Sequence, residues 1–252
     1  MKNEIEQLFN VIVAARHCVA LTGAGVSTLS GIRDFRGKNG LYKDMDAEKI
    51  FDIDYFDRDP SFYYKAAGSF IYNIHEREAS LVHTTLGALE SKGFLKAVIT
   101  QNIDLLHQKG GSRRVIEIHG SPALHYCRRC GESAETVMAF DEVAALVKAG
   151  GVPRCAQCGS VLKPGITFFG ESLPVKALTD AEAEARQADL MLVLGTSLTV
   201  YPAASIPQIT LRAGGNIVIV NDMETPLDRY ASLHFTDLGE VFAGLAELLQ
   251  AA

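Results

Sequence analysis

Residues 21–37 read LTGAGVSTLSGIRDFRG and directly continue the apolar run Cys18–Leu21. A buried strand that ends in a glycine-rich loop is typical of α/β proteins that bind phosphate at the edge of a parallel sheet. Glycine has no Cβ, so it lets a ligand approach the backbone closely. The same segment holds an acid, an aromatic and a base in Asp34, Phe35 and Arg36, which a simple turn would not require. The stretch therefore predicts a parallel α/β sheet with a functional site at its edge.

Other short apolar runs recur along the chain, and each is typical of a strand buried on both faces. They are Ala97–Ile99, Leu190–Leu194 and Ile217–Val220, with Val115–Ile118 as a weaker candidate. Amphipathic helical segments alternate with these runs at 5–15, Ala181–Ala188 and Gly239–Leu249. The alternation predicts a doubly wound, Rossmann-like α/β fold, in which a parallel sheet carries helices on both faces.

Polar or small residues follow every predicted strand. These are Thr22-Gly23, Thr100-Gln101-Asn102, His119-Gly120, Gly195-Thr196-Ser197 and Asn221-Asp222. Ligands of open α/β sheets bind in the crevice outside the carboxyl ends of the strands. The strand ends therefore predict one shared site.

Two stretches interrupt the α/β pattern. Residues 38–78 predict a helical excursion that carries a cofactor loop, and residues 122–165 predict a small inserted metal module. The remaining segments, 1–37, 79–121 and 166–252, are expected to form the Rossmann-like part of a single catalytic unit.

Four of the five cysteines form two C-x₂-C pairs separated by 24 residues, and each pair is followed by glycine. They are Cys127, Cys130, Cys155 and Cys158. Four thiolates in a tetrahedron make a closed structural zinc site that leaves no position for substrate or water. The alternatives are two disulfides or four unrelated buried cysteines. The spacing favours one structural zinc in a zinc-ribbon-type module, and Cys18 is interpreted as a small core residue.

The net charge of −6 over 252 residues argues against broad binding of DNA or RNA, which requires a basic surface. No apolar run approaches the ~20 residues that span a bilayer, so no membrane association is expected. The apolar stretch near the N-terminus is interrupted by Arg16 and His17 and makes a poor signal peptide. These features predict a cytoplasmic protein.

The loop at residues 23–28 is an incomplete dinucleotide motif, because Thr28 occupies the third glycine position of G-x-G-x-x-G. Together with Asn221, which can bind ribose hydroxyls, it favours a nucleotide or dinucleotide ligand. His119 is a candidate general base, since the ordinary pKa of histidine lies near neutral pH. His107 lies one helical turn after Asp104 and is interpreted as structural, either paired with that residue or capping its helix.

Several motifs occur in an order that resembles the sirtuins, the NAD-dependent protein lysine deacylases. They are Gly23-Ala24-Gly25-Val26-Ser27, Asp34-Phe35-Arg36-Gly37, Thr100-Gln101-Asn102-Ile103-Asp104, Leu106-His107, His119-Gly120, the four paired cysteines, Phe169-Gly170-Glu171, Gly195-Thr196-Ser197-Leu198 and Val220-Asn221. The resemblance covers nearly the whole chain.

The resemblance implies a reaction that consumes NAD as a co-substrate. The acyl-lysine amide oxygen attacks C1′ of the nicotinamide ribose, which releases nicotinamide and forms an alkylimidate. The catalytic residues implied are His119, as the general base that activates a ribose hydroxyl, and Asn102, which orients the ribose and a reactive water. Water completes the sequence, the products are free lysine and 2′-O-acyl-ADP-ribose, and the partner is an acetylated protein or peptide.

The resemblance also implies which residues bind NAD. The set comprises Gly23, Ala24, Gly25, Ser27, Ile32, Asp34, Phe35, Arg36, Gln101, Asn102, Ile103, Asp104, His119, Gly195, Thr196, Ser197, Asn221, Asp222, Asp237 and Leu238. Within it, Gly23, Ala24, Gly25 and Ser197 are expected to contact the pyrophosphate through backbone amides and a hydroxyl. Asp104 is expected to accept a hydrogen bond from the nicotinamide carboxamide, and Phe35 is expected to shield C1′.

In the family that this chain resembles, the peptide substrate adds a strand between two exposed segments. The residues expected to contact it here are Phe169, Gly170, Glu171, Leu198 and Val200.

Two departures from the family pattern carry expectations. Arg33 stands where relatives usually have proline, so the loop is expected to lose a fixed φ and to be more mobile when empty. The branch that removes succinyl groups carries a Tyr-x-x-Arg pair, whereas Tyr63 and Tyr64 are followed at that spacing by alanines. An unpaired carboxylate in an apolar channel is costly, which predicts acetyl and other neutral acyl groups over succinyl.

Two alternative functions remain open. ADP-ribosyl transfer to protein would use the same C1′ electrophile with another nucleophile, and a non-catalytic NAD-sensing scaffold would bind without turnover. A hydride-transferring dehydrogenase is disfavoured, because the third glycine is missing and nothing resembles its substrate domain.

Overall fold

The computed structural model describes residues 2–34, 40, 47–68, 71–131 and 136–251. Within these residues the strands are β1 (Cys18–Thr22), β2 (Leu95–Thr100), β3 (Val115–Glu117), β4 (Gly120–Tyr126), β5 (Val137–Ala139), β6 (Lys163–Ile166), β7 (Leu190–Leu194), β8 (Asn216–Val220) and β9 (Leu233–Phe235). The α-helices are α1 (Lys2–Ala14), α2 (Ala47–Ile50), α3 (Ile53–Arg58), α4 (Pro60–Ala67), α5 (Leu81–Ser91), α6 (Leu106–Lys109), α7 (Phe140–Lys148), α8 (Val175–Gln187), α9 (Ile206–Arg212) and α10 (Leu238–Ala251). None of the helices in these ranges is long and apolar enough to cross a membrane.

Six strands form one parallel sheet in the order β3-β2-β1-β7-β8-β9. The chain extends the sheet outward from β1 in one direction and then from β7 in the other. A doubly wound sheet has its topological switch point between two such strands, and ligands bind there. Thr22 lies beside Thr100 on one side and beside Leu194 on the other. The loops that follow these three strands therefore begin side by side.

Successive residues of β1 pack into different hydrophobic layers, because side chains alternate across a strand. Cys18 and Ala20 pack into the layer formed with α1, α5 and α10, while Val19 and Leu21 pack into the layer formed with α8 and α9. Every residue of β1 and of β7 is buried. Burial on both faces is the reason that these strands are continuous apolar runs in the sequence.

A second, antiparallel sheet has three strands in the order β5-β4-β6. The helices of the excursion pack against this part of the chain through a third hydrophobic cluster, which includes Tyr63, Tyr64, Phe140 and Phe168. The helical excursion and the cysteine-bearing insertion therefore share one core.

The predicted parallel sheet with helices on both faces is confirmed, and all five predicted strands are present. The sequence pattern does not predict β9, because it is a three-residue strand in which only Phe235 is fully buried. Helix α8 begins at Val175, six residues before the predicted start at Ala181. The sequence pattern misses these residues because they are exposed or half-buried and give no apolar periodicity.

Candidate active site

A cavity of about 830 Å³ lies at the carboxyl edge of the large sheet. Its described lining includes these residues of the predicted NAD site: Gly23, Ala24, Gly25, Asp34, Gln101, Asn102, Ile103, His119, Gly195, Thr196, Ser197, Asn221 and Asp222. The same cavity is lined by four of the predicted substrate residues, which are Phe169, Gly170, Glu171 and Val200. Small-molecule sites usually have volumes of about 300–1,000 Å³. The structure thus brings most of the predicted site residues together around one space of suitable size.

Glycines allow the loops after β1 and β7 to pack directly against each other. A Cβ on Gly25 would lie 2.7 Å from the Cα of Gly195, and Gly195 itself has a φ of +58°, which favours glycine. The amide of Gly25 donates to the carbonyl oxygen of Gly195 at 2.9 Å. The amide of Gly23 donates to the carbonyl oxygen of Leu194 at 3.0 Å. Both amides have backbone acceptors here, so these two glycines serve the packing of the two loops, and the expected contact of this segment with a phosphate stays a prediction.

His119 lies just beyond β3 and lines the cavity. Its Nδ1 is 2.7 Å from the carbonyl oxygen of Gln101, and since a carbonyl oxygen only accepts, Nδ1 carries the proton. Nε2 is then unprotonated and can accept a proton. Burial lowers the pKa of His119, and the hydrogen bond to Gln101 opposes that shift only in part. The imidazole is therefore a neutral base near pH 7.

A buried hydrogen-bond network connects the loops after β1 and β2. The side-chain amide of Asn102 donates to the carbonyl oxygen of Gly23 at 3.1 Å and to the hydroxyl of Ser27 at 3.2 Å. The Ser27 hydroxyl donates in turn to Asp104 Oδ2 at 2.5 Å. The other carboxylate oxygen of Asp104 accepts from the backbone amide of Leu106 at 3.0 Å. Ser27 therefore positions its neighbours, and its proton is committed to a carboxylate.

Two polar side chains at the cavity are held by further hydrogen bonds. Gln101 Nε2 donates to Thr196 Oγ1 at 3.0 Å, which links the loops after β2 and β7. Asn221 is 3% exposed, and its side-chain amide donates to the carbonyl oxygen of Met223 at 2.7 Å. These bonds fix the polar groups in place before any ligand binds.

Six predicted site residues are not among the described residues that line the cavity: Ser27, Ile32, Asp104, Leu198, Asp237 and Leu238. Leu198 is 3% exposed and its side chain packs in the hydrophobic layer with α8 and α9, so the expected contact with a peptide stays a prediction for its main chain alone. Asp237 Oδ1 accepts from the amide of Glu240 at 2.9 Å at the start of α10, which is a helix-capping role. Phe35 and Arg36 lie outside the described residues.

Helix α8 contributes part of the cavity wall that the sequence analysis missed. Its residues in the lining are Val175, Leu178, Thr179 and Glu182, and Tyr201 joins them from the loop after β7. Val175 is 78% exposed and Tyr201 is 68% exposed, so both side chains face solvent at the cavity wall. Periodicity cannot identify such residues, since a mainly exposed helix has no apolar face that indicates its orientation.

Three further expectations concern Arg33, Tyr63 and Tyr64. Arg33 Nη2 donates to the carbonyl oxygen of Gly40 at 3.3 Å, a hydrogen bond that proline could not make and that opposes the expected loosening of the loop. Both tyrosines are buried in the core shared by the two insertions, and neither is among the described cavity residues. The hydroxyl of Tyr64 donates to the carbonyl oxygen of Leu162 at 2.5 Å. In this chain these tyrosines are therefore core residues and not acyl-binding groups.

The four paired cysteines form a candidate metal centre. Their Sγ atoms all lie within 4.8 Å of one another, and all five cysteines of the chain are free thiols. Four sulfurs at 2.3 Å from a zinc ion in a tetrahedron would lie about 3.8 Å apart, so the cluster fits one zinc. Gly131 and Gly159 close the two knuckles with φ values of +80° and +72°. Four protein ligands leave no open position, so the site is structural, and the disulfide alternative is wrong.

Comparison with known proteins places this arrangement in a family. The model of the Sir2 family matches residues 23–202. An NAD-dependent protein deacetylase from Thermotoga maritima is 46% identical over 92% of this chain and 92% of that protein. Another from Sulfolobus acidocaldarius is 42% identical over 95% of this chain and 92% of that protein.

Solved structures agree with these relatives. A Sir2 protein with a p53 peptide and NAD⁺ has a TM-score of 0.86 at 41% identity, over 98% of each chain. A Sir2 protein bound to a propionylated peptide has a TM-score of 0.85 at 40% identity, again over 98% of each chain. The matched residues 23–202 contain the glycine loops, His119 and all four paired cysteines. The match therefore includes the metal centre and most of the cavity lining, and this chain belongs to the Sir2 family.

Proposed function

We propose that this protein removes acetyl groups from lysine side chains of proteins and consumes NAD as a co-substrate. The products are free lysine, nicotinamide and 2′-O-acetyl-ADP-ribose. The observation that carries the proposal is the neutral His119, tied through Nδ1 to Gln101, in a cavity at the switch point of the sheet. The relatives named above are NAD-dependent protein deacetylases, and related Sir2 structures hold NAD or an acetylated peptide.

The chemistry assigned to the chain itself is proton transfer and orientation. NAD supplies the electrophilic C1′ from which the acetyl-lysine oxygen displaces nicotinamide. We assign to His119 Nε2 the uptake of a proton from a ribose hydroxyl, whose oxygen then attacks the carbon of the alkylimidate. Water then adds to that carbon, and its bonds to the lysine nitrogen and to the C1′ oxygen break, which leaves free lysine and the acetyl ester of ADP-ribose. As the ring becomes positively charged, the hydrogen bond from Nδ1 to the Gln101 carbonyl grows stronger and stabilises it.

We assign NAD binding to the strand ends around the cavity. Ser197 offers a hydroxyl to the phosphates, and Asn221 and Asp222 offer polar groups to the adenine-side ribose. Asp104 remains the proposed acceptor for the nicotinamide carboxamide. Each of its oxygens has one hydrogen bond in the structure, and a carboxylate oxygen can accept two.

The metal assignment is one structural zinc on Cys127, Cys130, Cys155 and Cys158. Its proposed role is to hold the two knuckles and the sheet β5-β4-β6 together, outside the chemistry. Because zinc ligation requires reduced thiolates, we also propose a cytoplasmic location.

A single incubation tests the function. The protein is mixed with an acetyl-lysine peptide, with and without NAD, and the products are identified by mass spectrometry. We expect the peptide mass to fall by ~42 Da, because hydrogen replaces the acetyl group. Nicotinamide and O-acetyl-ADP-ribose should form at the same time, and all three changes should require NAD. Gain of ADP-ribose on the peptide would favour the transferase alternative. NAD binding without any turnover would favour the scaffold.

A further inference from the structure

Lys163 is a buried lysine that the mechanism above does not use. It lies in β6 and is 0% exposed. Its ammonium donates to the carbonyl oxygens of Ile166 at 2.6 Å and Pro164 at 3.2 Å, and to Glu171 Oε2 at 2.9 Å. An ammonium has three N–H donors, so each has an acceptor. The charge also lies 4.2 Å from the ring centroid of Phe168.

Glu171 accepts hydrogen bonds from the Lys163 ammonium and from the backbone of the turn 168–171. The same oxygen that accepts from Lys163 also accepts from the backbone amide of Phe168 at 2.8 Å, so the carboxylate closes the turn 168–171. Its side chain is 21% exposed, and the residue lines the cavity. Burial lowers the pKa of Lys163, and the hydrogen bond to Glu171 opposes that shift. The carboxylate therefore acts within the turn as a cap and a counterion.

The segment held in this way, residues 166–171, connects the proposed base with the proposed peptide site. The amide of Thr167 donates to the carbonyl oxygen of His119 at 2.7 Å. The amide of Phe169 donates to the carbonyl oxygen of Phe51 at 2.7 Å, which fastens the segment to the helical excursion. Phe169 is 45% exposed at the cavity wall. Displacement of this segment would therefore change the distance between a bound peptide and His119.

We propose that Lys163 is a positioning residue for deacetylation, which holds segment 166–171 so that the substrate peptide is presented at a fixed distance from His119. This inference rests on the proposed function. Lys163 lies beneath the cavity wall and is not among its described lining residues, so it acts through Glu171 and the backbone carbonyls. A buried ion pair that served stability alone would not change peptide affinity selectively.

The test compares Lys163→Met, Glu171→Gln and the conservative Lys163→Arg with the parent protein. Steady-state kinetics give kcat, the KM for an acetyl-lysine peptide and the KM for NAD. We expect Lys163→Met and Glu171→Gln each to raise the peptide KM by about tenfold or more and to leave the NAD KM within about twofold. Lys163→Arg keeps the charge and should retain more peptide affinity than Lys163→Met. Lys176→Met is the control, since Lys176 is an exposed lysine paired with Asp180 on α8.

Two peptides distinguish positioning from direct contact. If Glu171 acts through the turn, its variant should weaken a peptide with alanines around the acetyl-lysine as much as one with arginines. A loss confined to the arginine peptide would overturn the proposal, and so would an unchanged peptide KM. If thermal unfolding and zinc content show that Lys163→Met does not fold, the peptide KM of Glu171→Gln alone decides whether the proposal holds.

Binding measurements separate this inference from the function. Fluorescence polarisation of a labelled acetyl-lysine peptide reports affinity without turnover. Weaker binding to both variants would support the positioning role even if the parent protein released no nicotinamide. Unchanged binding, with turnover intact in the parent protein, would overturn the positioning role alone.

Discussion

The hydroxyl of Ser27 donates to Asp104, although its place in a glycine loop could also suit a nucleophile. His107 likewise lies one helical turn after Asp104 but bonds elsewhere, with Nε2 2.8 Å from Thr22 Oγ1. Burial lowers the pKa of His107 to about 3, so it stays neutral as a structural group. At the scale of single residues, contacts made across the sheet decide what each polar side chain does.

The pH dependence of turnover tests the role of His119. Burial holds the pKa of His119 below the ordinary 6.5, so the neutral base persists as the pH falls through that value. We therefore expect the acid limb of kcat/KM to have its midpoint below pH 6.5, measured with an acetyl-lysine peptide at saturating NAD. His119→Ala should lose about 10²–10⁴-fold in turnover and still bind the peptide. A midpoint above 6.5, or full activity of the alanine variant, would contradict the assignment.

At the scale of elements, the loops after β1 and β7 pack backbone against backbone. In Gly25→Ala, the new Cβ would lie 2.7 Å from backbone atoms of Gly195, which cannot rotate away. We expect a loss of about 1–3 kcal/mol in the free energy of unfolding, as for other overpacked sites, together with a raised KM for NAD. Denaturant unfolding and steady-state kinetics provide the measurements.

Gly239→Ala is the matched control for that experiment. Gly239 lies in the first turn of α10, where the nearest atom to a new Cβ would be the side-chain oxygen of Asp237 at 3.2 Å. Its free energy of unfolding should change by no more than about 0.5 kcal/mol. Equal losses in both variants would show that the close approach of the two loops is not the cause.

The two cysteine knuckles are the second pair of elements with a testable contribution. Cys127→Ala removes a ligand, and because zinc binding contributes directly to folding, we expect a loss of about 4 kcal/mol or more. That corresponds to a melting temperature lower by roughly 8–16 °C, with activity lost in parallel. Cys18→Ala makes the same chemical change at a buried strand residue and should retain one zinc per chain. Active protein without stoichiometric zinc would rule out the metal assignment.

At the scale of the whole molecule, the cavity has an acidic lining. Its described residues include the carboxylates of Asp34, Glu182 and Asp222, besides Glu171, which is paired with Lys163 beneath the wall, and no lysine or arginine is found among them. A succinyl group would bring a further carboxylate into this space without a partner. We expect kcat/KM for an acetyl peptide to exceed that for the succinyl peptide of the same sequence by at least about 100-fold. A propionyl peptide is the neutral control, and comparable turnover of succinyl and acetyl peptides would contradict the prediction.

The predictability of the site differs between its parts for physical reasons. The cysteine spacing and the strand-end motifs are local, so the sequence identifies the four ligands and the residues around His119. Glu171 was predicted as a substrate contact, yet its carboxylate is held by Lys163, 8 residues earlier in the chain. Val175 was not predicted at all, because the orientation of an exposed helix leaves no periodic signal.

The sequence by itself determined the parallel α/β sheet, the zinc ligands and the family, since burial on both faces and metal ligation each impose residue types at short, regular spacings. Only the tertiary structure decided how residues 21–34, the described part of the opening stretch, are held. There the amide of Gly23 bonds to the last residue of β7, the amide of Gly25 bonds to the loop after it, and Ser27 bonds to Asp104. These partners are far apart in the chain, so their choice depends on which strands lie side by side in the sheet, and local sequence patterns do not encode that order.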